Sequence, residues 1–534
     1  MQMKNGICHV ALALLVAVAG CGGGGGGGSG TPPGGTNPPA ADRTPDEFSF
    51  APVVNANPGE YYEVSTTISG LDDGEIVPAN LGNLAVNGFA LLINGVEQDI
   101  QQDGTVQNGD VVTFRLQALD TPKGVASGEF FAGEPSVSAV FEVTTKADTE
   151  APEIAIHFPP MRATTDAPLP AILKVRGSIN DDFGVKSITV NGVETTIDAA
   201  AGTWSVDYAL IAGMQEIVAV VEDLAGNTAE SSVTLEHVET LEGYSLGEGD
   251  IGNPGHAVLS KSPDSTILFA GRDLVKLDAQ TGNRVEVLNR NSLPSNNRFR
   301  AAARLDDSRL LLATTHVGDS SDVGGLAIHD LLSGTVIPLS VQGDGKGLDQ
   351  AFPVNAMAYD EANQRVYAIN SSGSTIWQIS ADSGNREIVV AAGASGATRD
   401  IDFDPVSGSL YVGDCGIYRA PSGILEEWIA SSADLCIYDL DIDALTGDAY
   451  GINGAGRGPH IFSLDLAGGT AESLFPTIDA SMGPSIETQV NSGWDVDFEQ
   501  RVGYLVQDGG LAYGKRFYAI DLEAGYRVII SLHR

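Results

Sequence analysis

RDIDFDPVSGSLYVGDCGIYRAPSG, residues 399–423, carries the pattern that decides the fold. An alternating run (RDIDFD) meets a Pro/Gly turn, then a second run with an aromatic (SLYVGD), a third (GIYRA) and a closing glycine turn. Alternate side chains in such runs go to opposite faces of a strand. The same order recurs six times between about residue 245 and the C-terminus, with turn glycines at Gly282, Gly334, Gly384, Gly423, Gly469 and Gly525, 39 to 56 residues apart. That period holds four short strands. One such unit cannot bury both of its faces and must stack between neighbours around an axis. Residues 245–534 are therefore expected to form a six-bladed β-propeller.

Two further β regions precede the repeats. Residues 46–146 contain YYEVSTTISGL, FALLINGV and VVTFRLQA, and residues 151–238 contain APEIAIHFPP, DDFGVKSITVNGVETTI and GTWSVDYALIAGMQEIVAVVEDLAGNTAESSVTL. Short alternating runs separated by Gly, Asn and Asp turns read as antiparallel sheet, with Asn108-Gly109, Asn191-Gly192 and Gly226-Asn227 as turns. Both regions resemble bacterial immunoglobulin-like (Ig-like) modules. The resemblance implies β-sandwiches, with Trp204 in a core, acting as a spacer below the C-terminal domain. Asp181 and Asp182 fit a capped turn better than a calcium-binding linker. The expected fold class is all-β: two Ig-like sandwiches followed by the propeller.

Residues 1–20 read as a secretory signal: Lys4, then the apolar run VALALLVAVAG, too short to span a bilayer. Val18-Ala19-Gly20-Cys21 resembles a bacterial lipobox, which implies a lipid on Cys21. The Gly/Ser/Pro-rich stretch 21–45 cannot build a core and reads as a flexible tether. Gly22 stands where an aspartate would mark inner-membrane retention, so the resemblance implies an outer-membrane lipoprotein. Apart from Cys21 and Cys8 of the signal, the chain has Cys415 and Cys436, a candidate disulfide in an oxidising compartment. With 70 acidic and 29 basic residues the net charge is −41. Nucleic acid is excluded as a partner by that field, whose plainest role is solubility.

The blade pattern resembles NHL- and TolB-like six-bladed propellers over about 290 residues. That likeness implies a fold and no activity, because one fold hosts many chemistries. Aligning the repeats on Asp360, Asp404, Asp443 and Glu499 places His256, Arg300, Asn355, Arg399, Tyr438 and Trp494 where first strands meet the channel. Donors mixed with flat surfaces suit a polar ligand. Long loops at 289–300, 315–325, 340–354 and 476–494 put the expected site on the face they share. DIDFD, DLDID and DVDFE bring carboxylates together, so Asp400, Asp439 and Asp495 are candidate ligands for a hard cation such as Ca²⁺; backbone hydrogen bonds between blades are the alternative. Gluconolactonases, also six-bladed, hold a divalent metal with channel carboxylates and an asparagine. Asn355 matches that asparagine, but His256 replaces the glutamate, and Arg399, Tyr438 and Trp494 are not carboxylates. No G-x-S-x-G, H-E-x-x-H or P-loop occurs, and no catalytic residue is assigned. The expectation is an envelope lipoprotein binding a protein or glycan, more a binding protein than an enzyme, with a metal-dependent hydrolase or lyase as the rival reading.

Overall fold

The computed structural model describes residues 40–84, 88–99, 104–249, 254–260, 266–271, 274–278, 281–288, 297–306, 308–316, 325–341, 344–347, 354–370, 375–390, 400–420, 424–430, 435–453, 461–475, 479–486, 492–508 and 514–533. The signal, Cys21 and most of the tether lie outside these. Among the described residues the protein is all-β, with one short 3₁₀ turn at Ala480–Met482. It divides into two compact units, the first ending at Thr145 and the second made of Asp120–Lys123 and Lys146–Arg534.

In the first unit a five-stranded and a four-stranded sheet share one core. Val111–Gln117 (VVTFRLQ) shows why: its alternation buries Val112, Phe114 and Leu116 completely and turns Thr113 and Arg115 outward. Phe114 meets Phe141 of the other sheet with ring centroids 5.9 Å apart. Fully burying a side chain of this size stabilises by about 1.5–3 kcal/mol.

The second unit holds a two-sheet region, 153–237, and then the six repeats. Each repeat is four consecutive antiparallel strands. The first strands are Pro254–Ser260, Asn297–Arg304, Val354–Asp360, Asp400–Asp404, Ile437–Ile442 and Ser492–Asp497. Each lies against the first strands of its neighbours, and that of repeat one lies against that of repeat six, a propeller-like arrangement. Gly282, Gly334, Gly384, Gly469 and Gly525 sit at φ between +70° and +81°, the left-handed region their turns require. Gly423 lies outside the described residues.

Buried arginines tie repeats to the segments that lead into them. Arg284, Arg386 and Arg527 open the fourth strands of repeats one, three and six. Arg284 donates to the Leu246, Gly247 and Gly249 carbonyls and to Ser531 Oγ. Arg386 donates to Ser340 Oγ and Asp344 Oδ1, and Arg527 to the Asp479, Gly483 and Pro484 carbonyls.

The region 153–237, expected from sequence to act as a spacer, is joined to the repeats by strand pairing. Ala163–Thr165 pairs in parallel with Thr228–His237 and antiparallel with Arg527–His533, so one nine-stranded sheet runs from this region into repeat six. Arg176 crosses the same junction to Asp521 at 2.8 Å and to the Gln500 and Arg501 carbonyls. As expected, Trp204 is core: it is 2% exposed and donates to the Ser178 carbonyl.

Candidate functional site

The first strands set the site, and their register decides which residues face it. Asp360, Asp404 and Asp497 each close the first-to-second strand pairing and accept a turn N–H, from Asn363, Ser407 and Gln500. The residue of repeat six equivalent to Asp404 is thus Asp497, not Glu499. Period-two alternation fits DFD and DFE equally well, and only the four-residue turn Phe498–Arg501 fixes the count. Trp494 consequently takes the place of Ile401 and Leu440, not that of Arg399 and Tyr438. Asp495 lies level with Asp402 and Asp441, not with Asp400 and Asp439.

The acidic strands clamp one repeat to the next. Leu440 N–H donates to Asp400 Oδ2 and Ile442 N–H to Asp402 Oδ2, both at 2.7 Å, and Trp494 N–H donates to Asp439 Oδ2 at 2.9 Å. These bonds are the backbone alternative to a metal. Burial, then the Asp400 carboxylate, pushes Asp439 well above the usual carboxylate range. Burial likewise raises Asp402, with Asp400 and Asp495 adding repulsion. It also raises Asp441, with the Asp495 and Asp439 carboxylates adding repulsion. Oδ2 of Asp441 is buried without a hydrogen-bond partner.

The clamp residues themselves line a cavity of about 1020 Å³. Repeats two and three line it with Ala301, Ala303 and Ala358 beside Arg304, Asp360 and Glu361, and repeats four to six with Asp402, Asp441, Asp495 and Trp494. Pro160 and Met161, from the region before the repeats, line it as well. The contrast follows from the first strands, FRAAAR and VNAMAYD against DIDFD and DLDID. Turn residues Ala362, Pro405, Ala444 and Gln500 also line the cavity, which places it at the tight-turn end. The long loops expected to frame a site lie largely outside the described residues.

The sequence-predicted ligand residues divide accordingly. Arg300, Asn355 and Tyr438 each fall at a β-bulge in a first strand. His256 lies in the first strand of repeat one, beside another bulge. Trp494 lines the cavity, and it is 1% exposed. Arg399 lies outside the described residues. Asp400, Asp439 and Asp495 are spread over two levels. Among the described residues, the three acids whose ligand oxygens all lie within 4.8 Å of one another are Asp148, Asp181 and Asp223. There Asp181 caps its turn through the Phe183 N–H, and Asp223 Oδ1 accepts three backbone N–H groups. Asp182 instead pairs with Lys146 at 3.3 Å. Cys415 and Cys436 form the expected disulfide, joining the turn after the second strand of repeat four to the start of repeat five. Sequence reasoning missed Met161 and Pro160; HFPPMR carried no periodic signal linking it to the repeats.

No protein-family model matches the chain, and no curated protein matches it. Among solved structures it is similar to an auxiliary nutrient binding protein from Bacteroides ovatus, at 12% identity and a TM-score of 0.37, over 71% of this chain and 97% of that one. It is also similar to an oligogalacturonate lyase in complex with manganese, at 13% identity and a TM-score of 0.34, over 66% of this chain and 98% of that one. Likenesses this slight carry no argument about activity. The strand pairings themselves define an all-β protein with a propeller-like array of six four-stranded repeats.

Proposed function

We propose that the chain is a lipid-anchored envelope protein of the outer membrane, with two Ig-like modules and a six-bladed NHL- or TolB-like propeller that binds a protein or glycan. The observation that carries the binding reading is the channel cavity, about 1020 Å³, whose lining mixes alanines and other apolar residues with carboxylates and Arg304. Small-ligand sites of roughly 300–1,000 Å³ combine apolar walls with a few convergent polar groups in this way. In this reading Arg300, Asn355, Arg399 and Tyr438 remain candidate contacts for the ligand. Calcium at Asp400, Asp439 and Asp495 finds less support, because Asp400 and Asp439 each spend an oxygen on a backbone N–H. A metal-dependent hydrolase or lyase loses support with it.

The test is binding of the detergent-solubilised full chain to an array of glycans and envelope proteins, beside Ala303→Phe, which fills the cavity. Binding that is lost in the variant at an unchanged melting temperature is the expected result; Ala358→Leu is the second variant should Ala303→Phe unfold. Array binding indifferent to both refutes a channel site.

A further inference from the structure

In repeats three to six a four-residue turn joins the first strand to the second, and its second residue is Ala362, Val406, Leu445 and Glu499 in order. The turn uses the N–H of this residue, which Val406 and Leu445 donate to the aspartate two residues before, and asks nothing of its side chain. Glu499 shows that a charged residue fits the place. Yet Leu445 is 88% and Val406 63% exposed, and a Cβ at Gly447 would lie 3.6 Å from Val406, so the two turns adjoin. With the exposed Ala362, Pro405 and Ala444 they make an apolar arc over three neighbouring repeats. Single exposed apolar residues are ordinary, whereas a grouped set beside a cavity marks a contact surface.

Ala362, Pro405, Ala444 and Leu445 also line the cavity, so the arc borders its opening. In the lining, carboxylates outnumber basic side chains nine to one, and Arg304 is the one base among the described residues. Glu361 and Glu499, turn residues of that lining, are exposed, and Asp402, Asp495 and Asp497 keep part of their surface.

We propose that this turn face docks a basic segment of another protein, whose apolar side chains lie on Leu445, Val406 and Ala362 while a neighbouring lysine or arginine enters the acid-lined cavity. This rests on the binding reading above and adds the partner's chemistry. A cleft lined by one sign of charge focuses its field, so a cation gains there and an anion is turned away. A second copy of this chain carries the same net charge of −41 and is repelled. An anionic lipid surface is repelled for the same reason. A neutral glycan leaves the carboxylates without a counter-charge.

The probe is a fluorescein-labelled peptide of leucine, lysine and glycine, titrated by anisotropy into the full chain in nonionic detergent. It binds, and more weakly as NaCl rises from about 50 to about 300 mM, because exposed charges are screened. Counterparts with glutamate for lysine, or serine for leucine, bind at least about tenfold more weakly. Leu445→Ser with Val406→Ser weakens binding about tenfold, the scale of one apolar side chain returned to water. Glu361→Gln with Glu499→Gln weakens it and flattens its salt dependence. These are exposed turn positions, so the melting temperature stays unchanged in both variants. A serine peptide bound as tightly as the leucine one shows only the general attraction of an acidic chain and overturns the inference. Peptide binding indifferent to Leu445→Ser with Val406→Ser, or a chain that dimerises through those residues, overturns it too. Glycan binding on the array that is lost in Ala303→Phe, with the leucine–lysine peptide unbound, overturns it while leaving the channel reading intact. Peptide binding indifferent to both Ala303→Phe and Ala358→Leu refutes the two together.

Discussion

Arg176→Met tests whether the second module and repeat six are one body. The Arg176 side chain is 7% exposed and that of Asp521 is 0% exposed. Nε and Nη2 both reach Asp521 Oδ1, at 2.9 and 2.8 Å, while Nη1 and Nη2 satisfy the Gln500 and Arg501 carbonyls at 2.7 and 2.9 Å. Without the guanidinium, Asp521 keeps the Glu523 N–H at 3.1 Å, and its Oδ2 already lacks a partner. Breaking a buried pair by removing one member costs about 3–5 kcal/mol. In a unit of this size that is a fall in melting temperature of about 4–6 °C. Burial already holds Asp521 above its usual range, with Arg176 opposing it, so the variant raises it further. A raised carboxyl contributes its full stability below the unfolded value of about 3.9 and loses it as pH rises through the folded value. The deficit of the variant should therefore shrink as pH is lowered towards 4. Calorimetry reads both effects. Arg176→Met with Asp521→Leu should recover most of the loss, because both buried charges are gone. A loss of about 1 kcal/mol or less, as for an exposed pair, or a double variant as unstable as the single, refutes the reasoning.

The Cys415–Cys436 bond closes a loop with a sequence separation of 21, and reducing it should cost about 3 kcal/mol in the chain-entropy model. Thiol counting on denatured, unreduced protein checks the bond, and two reactive thiols there would refute it. Asp441→Asn removes a carboxyl that burial and neighbouring acids hold well above its usual range. The variant should melt higher than the native chain at pH 8, by about 1.4 kcal/mol for each unit of that rise. The gap should close on acidification towards pH 5, because protonation removes the same charge; a lower melting point at pH 8 refutes it.

Period and turn chemistry made the repeats legible: Gly282, Gly384 and Gly469 are where left-handed backbone is needed, and the second strands carry Tyr367, Tyr411, Tyr450 and Tyr504 as the alternation implied. The candidate site was less legible. Asp400 and Asp439 looked like ligands, because sequence shows that carboxylates converge but not that the next repeat's N–H groups meet them. The slip at Glu499 has the same origin, since period-two alternation is blind to a shift of two. One signal was present and unused: Gly-x-Arg after the turn, in TGNR, SGNR and AGYR, marks the three arginines that staple repeats one, three and six.

The C-terminal strand shows how those devices combine. All four strands of repeat six come from consecutive residues, so ring closure needs something other than an interleaved strand. An outermost strand left bare would offer unpaired N–H and C=O groups to other chains. Here Arg527–His533 is buried along nearly its whole length, on both faces, unlike the outer strand Val336–Val341, where Ile337 and Pro338 are exposed. Its outer side is taken by Thr164, opposite Ile529, and by Leu246, which bonds Leu532 in both directions. Arg284 reaches Leu246 and Ser531 together, fastening repeat one to repeat six at the same point. The segment that covers this edge, Ala163–Thr165, follows directly on Pro160 and Met161 in the cavity wall. Edge protection and site construction therefore depend on one placement of the second module, and a substitution that frees that strand, such as Thr164→Pro, exposes the edge and opens the cavity together.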